Sequence, residues 1–320
     1  MRFARCSLPV AALLTAVACK PAVNLTPPPA ASRAEVVALS GASVMIGVGD
    51  IASCTSQLSI GTAVLVDSVL RADSLAKVDD AVFTLGDNAY TSGTTAQFND
   101  CFTPTWGDPK KRIIKKLHPA PGNHEYYTPS ADPYYKYFGP AAGTVGKGYY
   151  SYDVGVWHVV VINSEIVVNT TFTDSARKAQ MDWVEKDLQA HKTLCTIAYW
   201  HHPRFSSGWH GSDAKLGPVW QLLYDNDVDL VLAGHDHDYE RFRPMTPGGV
   251  VDTMRGMTEI VAGTGGEELR GFANKAIPNS VSRIEGRAGV LLLTLGKAEY
   301  RSAFLEVGGR IWDQSGGKCH

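Results

Sequence analysis

From residue 43 onward the apolar residues come in short runs separated by polar, glycine-bearing turns. Ser43 to Val48 (SVMIGV) and Ala81 to Leu85 are continuous apolar runs of strand length, which predicts strands buried on both faces. Between them, Ala63 to Leu75 spaces Val, Leu and Ala as a helix does. Gly148 to Val154 and Trp157 to Ile162 form a hairpin pattern across Gly155. A helix is expected from a cap at Asp174 to about Ala190, with Met181, Val184 and Leu188 on one face. Leu194 to Trp200 and Leu230 to Ala233 read as strands, with a short helix at Pro218 to Tyr224 between them. Three more strands close the chain: Glu259 to Ala262, Val290 to Leu295 and Tyr300 to Val307. Strands that alternate with helices early and follow one another late predict a mixed-sheet α/β fold. The interval from Thr91 to Gly148, rich in Gly, Pro and Tyr, is expected to form the walls of a site.

Charge and composition narrow the function classes more than they choose among them. The formal net charge is -2 over 320 residues, with no basic block that would mark a nucleic-acid module. The first residues have the pattern of an export signal: Arg2 and Arg5, then an apolar stretch from about Leu8 to Ala18 that is too short to span a membrane. Ala16-Val17-Ala18 fits an ordinary cleavage site, and the same residues before Cys19 fit lipidation of that cysteine; both readings stand. The expected organisation is a signal over 1–18, a Pro/Ala-rich tether over 19–40 and one catalytic domain over 41–320. Export to the periplasm, the medium or the cell envelope permits disulfides. Of the three connectivities open to Cys54, Cys101, Cys195 and Cys319, we favour Cys54–Cys101 with Cys195–Cys319. Cys54 and Cys101 each follow an early turn, and Cys319 is placed to pin the C-terminal tail to the strand that Cys195 begins.

Five segments carry the candidate chemistry: Gly49-Asp50, Gly86 to Tyr90 (GDNAY), Gly122 to Glu125 (GNHE), Trp200-His201-His202, and Gly234 to His237 (GHDH). Each follows an expected strand or turn, and ligands of open α/β sheets bind beyond strand C-termini. Two carboxylates, an amide, a phenol and three imidazoles suit Zn, Fe or Mn, and the lack of thiolates argues against a structural zinc site. Gly263-Thr264-Gly265-Gly266 is not a nucleotide loop, because no Lys-Ser/Thr follows it. A metallo-β-lactamase pattern would need His where Glu240 stands.

Together the five segments resemble the signature of the binuclear metallophosphoesterases, and in detail that of the purple acid phosphatases: GDxG, GDxxY, GNH and an acid, VxxH, and GHxH. The resemblance spans about Val44 to Tyr239, with Ala52 and Ala198 as departures at positions that offer no ligand. Relatives outside the purple branch carry a ligating His at the Ala52 position; this chain instead offers Tyr90, where the purple enzymes place their metal-binding Tyr. The resemblance implies a four-layer αββα sandwich of two mixed β-sheets, with the metal site at the strand C-terminal edge. It implies Fe(III) held by Asp50, Asp87, Tyr90 and His237. A second ion, Zn(II), Fe(II) or Mn(II), would be held by Asp87, Asn123, His201 and His235, with Asp87 bridging the two. His210 is expected as general acid, His124, oriented by Glu125, as a phosphate-facing residue, and His202 as a further phosphate contact. The expected activity is acid phosphatase action on small phosphate monoesters, by attack of a metal-bound hydroxide, in a monomer that meets membrane only through a lipid on Cys19. A phosphodiesterase or nucleotidase on the same centre, and a non-catalytic exported binding lipoprotein, are the alternatives. Tyr239-Glu240-Arg241 is expected to buttress the last motif or to face substrate.

Overall fold

A computed structural model describes residues 42–320. The expected signal, tether and lipidated Cys19 lie outside the described residues. Two sheets form the frame. In the first, β1 (Ser43–Val48) and β2 (Asp80–Leu85) run parallel, joined by helix α1 (Leu58–Ala76). β3 (Leu117–Ala120) extends them in parallel on one side. On the other side β11 (Gly289–Leu295), β12 (Glu299–Glu306) and β13 (Ile311–Lys318) add antiparallel, giving the order β13-β12-β11-β1-β2-β3.

The second sheet has the order β10-β8-β9-β7-β6-β5-β4. It comprises the hairpin β4 (Tyr150–Val154) and β5 (Trp157–Val161), then β6 (Cys195–Tyr199), β7 (Leu230–Ala233), β8 (Tyr239–Phe242), β9 (Thr258–Ala262) and β10 (Ser280–Ile284). Strands β5, β6, β7 and β9 are parallel neighbours. Their side chains alternate between two apolar environments, as a period of two requires. Val159, Val161, Ile197, Tyr199, Leu230 and Leu232 pack between the sheets, against residues such as Val44, Phe83 and Leu291. Val160, Ala198, Trp200 and Val231 face outward, onto Val184 and Leu188 of helix α2 (Asp174–Ala190) and Val219, Trp220 and Leu223 of helix α3 (Gly217–Asp225). With α1 packed on β1 and β11 at the opposite face, the layers run helix, sheet, sheet, helix.

Several boundaries differ from those the sequence suggests, each for a local reason. Helix α1 begins at Leu58, five residues before the apolar spacing becomes regular, with the Leu58 N–H donating to Ser56 Oγ at 3.2 Å. Thr173, not Asp174, caps α2: its side chain accepts the Ala176 N–H. The Thr91–Gly148 interval is less a wall than a packed lobe, in which Phe98, Phe102, Tyr134, Tyr137 and Phe138 stack edge to face. Both expected disulfides are present, Cys54–Cys101 and Cys195–Cys319, with Cα–Cα distances of 4.9 and 5.2 Å. Among the described residues no helix is long and apolar enough to cross a membrane.

Candidate metal centre

The five segments meet where the C-terminal ends of both sheets adjoin. Asp50 follows β1, Asp87 and Tyr90 follow β2, and Asn123 follows β3; His201 follows β6, and His235 and His237 follow β7. Three of these residues leave their strands in the left-handed region, Asp50 at φ 60°, Asp87 at φ 50° and His235 at φ 70°. Such backbone costs about 1–3 kcal/mol per residue, and it turns each side chain sharply into the crevice. Glycines make the approach possible. A Cβ on Gly86 would lie 2.6 Å from His201 Nδ1, and one on Gly122 would lie 2.3 Å from Asp87 Oδ1.

The side chains converge in two groups. Around the Tyr90 hydroxyl stand Asp50 Oδ1 at 2.7 Å, Asp87 Oδ2 at 3.0 Å and His237 Nε2 at 3.2 Å. Around His201 Nε2 stand Asn123 Oδ1 at 3.0 Å, His235 Nδ1 at 3.1 Å and Asp87 Oδ2 at 3.2 Å. Asp87 Oδ2 is common to both groups. A single oxygen therefore faces both, while Oδ1 accepts the His124 N–H at 2.9 Å. Backbone carbonyls fix the imidazoles: His201 Nδ1–H donates to Leu85 O at 2.7 Å and His237 Nδ1–H to Glu268 O at 2.6 Å. Each then turns the lone pair of Nε2 inward, as metal-ligating histidines do. Burial and the adjoining Asp50 and Asp87 hold the Tyr90 hydroxyl well above its ordinary pKa of 10.0, so it is a phenol unless a cation offsets the two carboxylates. Asp50 and Asp87 are buried, and no Lys or Arg side chain pairs with either among the described residues. Carboxylate, amide and phenol oxygens and imidazole nitrogens crowd into two groups that share Asp87 Oδ2, and this donor set fits a pair of metal ions.

The remaining expected residues ring this core. His124 lies beside Tyr90, ring centroids 4.3 Å apart, with Nε2 3.7 Å from Asp87 Oδ2 and Nδ1 2.6 Å from Thr91 O. Glu125 does not orient it. The Glu125 carboxylate accepts N–H groups from Gly122 (2.7 Å), Asn88 (2.7 Å) and Asp87 (3.0 Å), and so shapes the turn that presents Asp87. His202 packs 4.4 Å from the His235 ring and meets Ser164 Oγ at 2.9 Å. The His210 ring lies 4.1 Å from that of His235.

Sequence reasoning missed three kinds of support. Arg270 donates to His210 Nε2 at 3.0 Å, and its backbone N–H donates to His237 O at 3.0 Å. It follows the Gly263–Gly266 turn, whose glycines admit close contact with the β1 turn, where the Gly265 N–H donates to Gly49 O at 3.0 Å. Only its place after a Gly-rich turn could have drawn notice to it. Asp236, between the two His of the last motif, accepts the His210 N–H at 2.7 Å and the Ser206 hydroxyl. Glu240 accepts the Ser207 N–H and hydroxyl, each at 2.7 Å, and Glu259 accepts the Arg204 and Phe205 N–H groups, each at 2.8 Å. Three buried carboxylates thus hold the segment that carries His210. Tyr239 and Arg241 both bind Asp313 of β13, which ties the Tyr239–Arg241 segment to the first sheet.

A two-metal donor set at the edge of paired mixed sheets is the mark of a metallophosphoesterase. The calcineurin-like phosphoesterase profile matches residues 49–239, more than half of the chain and all five segments, and the chain belongs to that family of binuclear metal-dependent enzymes. Acid phosphatase type 7 of Homo sapiens is 28% identical over 250 residues, covering 68% of this chain and 55% of the relative. Purple acid phosphatase 15 of Arabidopsis thaliana is 26% identical, covering 51% of this chain and 36% of its own length. The chain thus spans about half the length or less of these curated relatives. The solved purple acid phosphatase PPD1 from yellow lupin superposes with a TM-score of 0.69 at 20% identity, over 87% of this chain and 54% of that one. GAP50, the anchor in the inner membrane complex of Plasmodium, superposes with a TM-score of 0.68 at 14% identity, over 87% and 89%. These two likenesses bear on the fold.

Proposed function

We propose that the protein is a phosphomonoester hydrolase of the acid phosphatase type, acting on small phosphate esters. One observation carries this reading: the Tyr90 hydroxyl within 2.7 to 3.2 Å of Asp50, Asp87 and His237, beside a second group of nitrogen and oxygen donors that shares Asp87 Oδ2. A phenol with two carboxylates and one imidazole is a hard, anionic set suited to Fe(III); Asp87, Asn123, His201 and His235 suit a divalent Zn, Fe or Mn. When bound, such a pair supplies positive charge for the phosphoryl oxygens and acidity for a water molecule. The chain's own residues do the rest. Asp87 holds the two groups at a fixed spacing. His124 and His202 border the space where phosphoryl oxygens would sit. His210, over the His235 ring, is assigned the proton that the leaving oxygen needs. Arg270 donates to His210 Nε2, so the proton of the neutral ring resides on Nδ1. Asp236 holds the His210 N–H, while Glu240 holds Ser207 and Glu259 holds Arg204 and Phe205 earlier in the same segment.

The test is turnover of p-nitrophenyl phosphate by the chain loaded with iron and zinc, across about pH 4 to 9, beside Asp87→Asn. Turnover that collapses by three orders of magnitude or more in the variant is the expected result, with an optimum on the acid side. A folded, metal-loaded protein that cleaves bis-p-nitrophenyl phosphate and leaves the monoester intact would overturn the monoesterase assignment.

A further inference from the structure

The strands that deliver the candidate ligands do so at their C-terminal ends, so their first residues mark the opposite pole of both sheets. The chain before residue 42 joins the body at that pole, because β1 begins at Ser43. Three segments meet there around the Cys195–Cys319 bond. Cys195 Sγ lies 3.7 Å from Lys297 O, and the Cys319 N–H donates to Ala298 O at 3.0 Å. Each segment carries an exposed lysine: Lys192 ahead of β6, Lys297 between β11 and β12, and Lys318 at the end of β13. Lys77, before β2, and Arg243, after β8, are exposed at the same end. Among the described residues none of these cations makes an ion pair. Neighbouring acids are engaged, Asp80 with Lys116, Asp153 with His158 and Asp227 with Arg255, while Glu299 stands free. The whole chain has a formal net charge of -2, so the excess of unpaired cations at this pole is a local feature. Exposed apolar side chains stand among them. Val156 (56% exposed), Leu194 (55%), Met254 (79%) and Val281 (43%) lie on turns or strand starts of this pole. Arg243, Met254, Val281 and Lys318 line one cavity of about 270 Å³.

We propose that this pole docks on an anionic lipid bilayer, so that the metal centre opens away from the membrane. Unpaired lysines and an arginine meet lipid phosphates, and Leu, Met and Val side chains between them enter the headgroup layer. Neither group is used by the fold: the cations lack partners, and the apolar side chains lie outside the core. The path of the chain favours lipid over a soluble acidic partner. Residues 20–41 connect Cys19 to this pole and not to the ligand end. A lipid on Cys19 would therefore bring the same face to the bilayer, and each contact would raise the effective concentration of the other. Docking of the face itself requires no lipid on Cys19, and it is independent of which ester the centre cleaves.

The test uses the full metal-loaded chain carrying Cys19→Ser, which cannot be lipidated. Its probes are vesicles of phosphatidylglycerol with phosphatidylcholine, and vesicles of phosphatidylcholine alone. Co-sedimentation should show at least about tenfold stronger binding to the anionic vesicles, lost at high salt. Reversing three charges at the pole, as Lys192→Glu with Lys297→Glu and Lys318→Glu, should weaken that binding at least about thirtyfold. Lys136, Lys147 and Lys178 are exposed on the Thr91–Gly148 lobe and near the start of α2, away from this pole. The same reversal there should change binding less than about fivefold, although the net charge falls equally. A second measurement needs no charge reversal: anionic vesicles should shield Lys192, Lys297 and Lys318 from acetylation and leave Lys136, Lys147 and Lys178 reactive. Equal binding to both vesicles, equal loss in the two sets of variants, or uniform shielding overturns the proposal. A chain that ignores both vesicles and binds polyglutamate also overturns it, and gives the face to an acidic protein.

Discussion

Tyr90 is the residue on which the metal assignment turns, because it sets this site apart from one built on carboxylates and imidazoles alone. Replacing it with Phe keeps the ring, packed 4.3 Å from His124, and removes only the oxygen that Asp50, Asp87 and His237 surround. Tyr90→Phe should therefore fold normally, lose the visible phenolate-to-Fe(III) band on ferric titration, and bind Fe(III) at least about tenfold more weakly. A variant that keeps the band would show that the phenol is not a ligand. At this scale the sequence was informative where a residue type is itself unusual. A Tyr three positions after Gly-Asp, or two His separated by one residue, has few other uses. Arg270 was opaque for the opposite reason. An arginine in a loop is ordinary, and only the fold brings it from residue 270 to within 3.0 Å of His210.

Among the elements, the segment from Arg204 to His210 and the junction of α2 with the sheet each make a testable unit. The first hangs on buried carboxylates of β8 and β9 and on Asp236. Glu240 accepts from Ser207 twice and from the Ser280 hydroxyl. Glu240→Ala should cost about 2–4 kcal/mol, and should raise hydrogen exchange at the amides of Arg204 to His210 while the amides of β1 and β2 stay protected. Uniform loss of protection would mean that the carboxylate supports the whole fold rather than this segment. At the second, His158 of β5 lies between Asp153 of β4 and Asp187 of α2, both at 2.8 Å, with His191 stacked 4.3 Å away. Burial opposes the charge, but the hydrogen bonds to Asp187 and Asp153 outweigh it and raise the imidazole above its ordinary 6.5. A raised folded pKa gives stabilisation that is full below about pH 6.5 and fades as the pH climbs through the folded value. The Tm difference between wild type and His158→Asn should thus be largest near pH 6 and shrink toward pH 9. A difference that holds constant with pH would exclude the ion pair as its source. The same elements show what could be read from sequence. Strands β1, β2, β5, β6 and β7 announced themselves because both their faces are buried. β13 did not: IWDQSGGK pairs only with β12, at the sheet edge, and lacks any apolar period. β3 is four residues long and carries Pro119, which an edge strand tolerates and a central one does not.

At the scale of the whole molecule, two disulfides tie separated parts of the described residues together. Cys195–Cys319 ties β6 to the tail across 124 residues. Removing it as Cys195→Ser with Cys319→Ser should cost about 2–4 kcal/mol, seen as a Tm drop of several degrees, with metal stoichiometry unchanged because no ligand lies on the released tail. Loss of metal in that variant would show that the tail braces the centre after all. The architecture also explains why the layer order came from resemblance and not from periodicity. Alternation of apolar residues says that a strand has two buried faces, but not which of two sheets it joins. That partition matters most at the candidate ligands. Asp50, Asp87, Tyr90 and Asn123 come from the loops of one sheet, and His201, His235 and His237 from those of the other. Each proposed ion takes donors from both, so each would act as a rivet through the seam where two plates meet. Neither plate holds a complete socket. Withdrawing the ions therefore does more than disarm the site: it unpins acids on one plate from imidazoles on the other, and the tightness of the joint becomes a gauge of how much metal the protein carries.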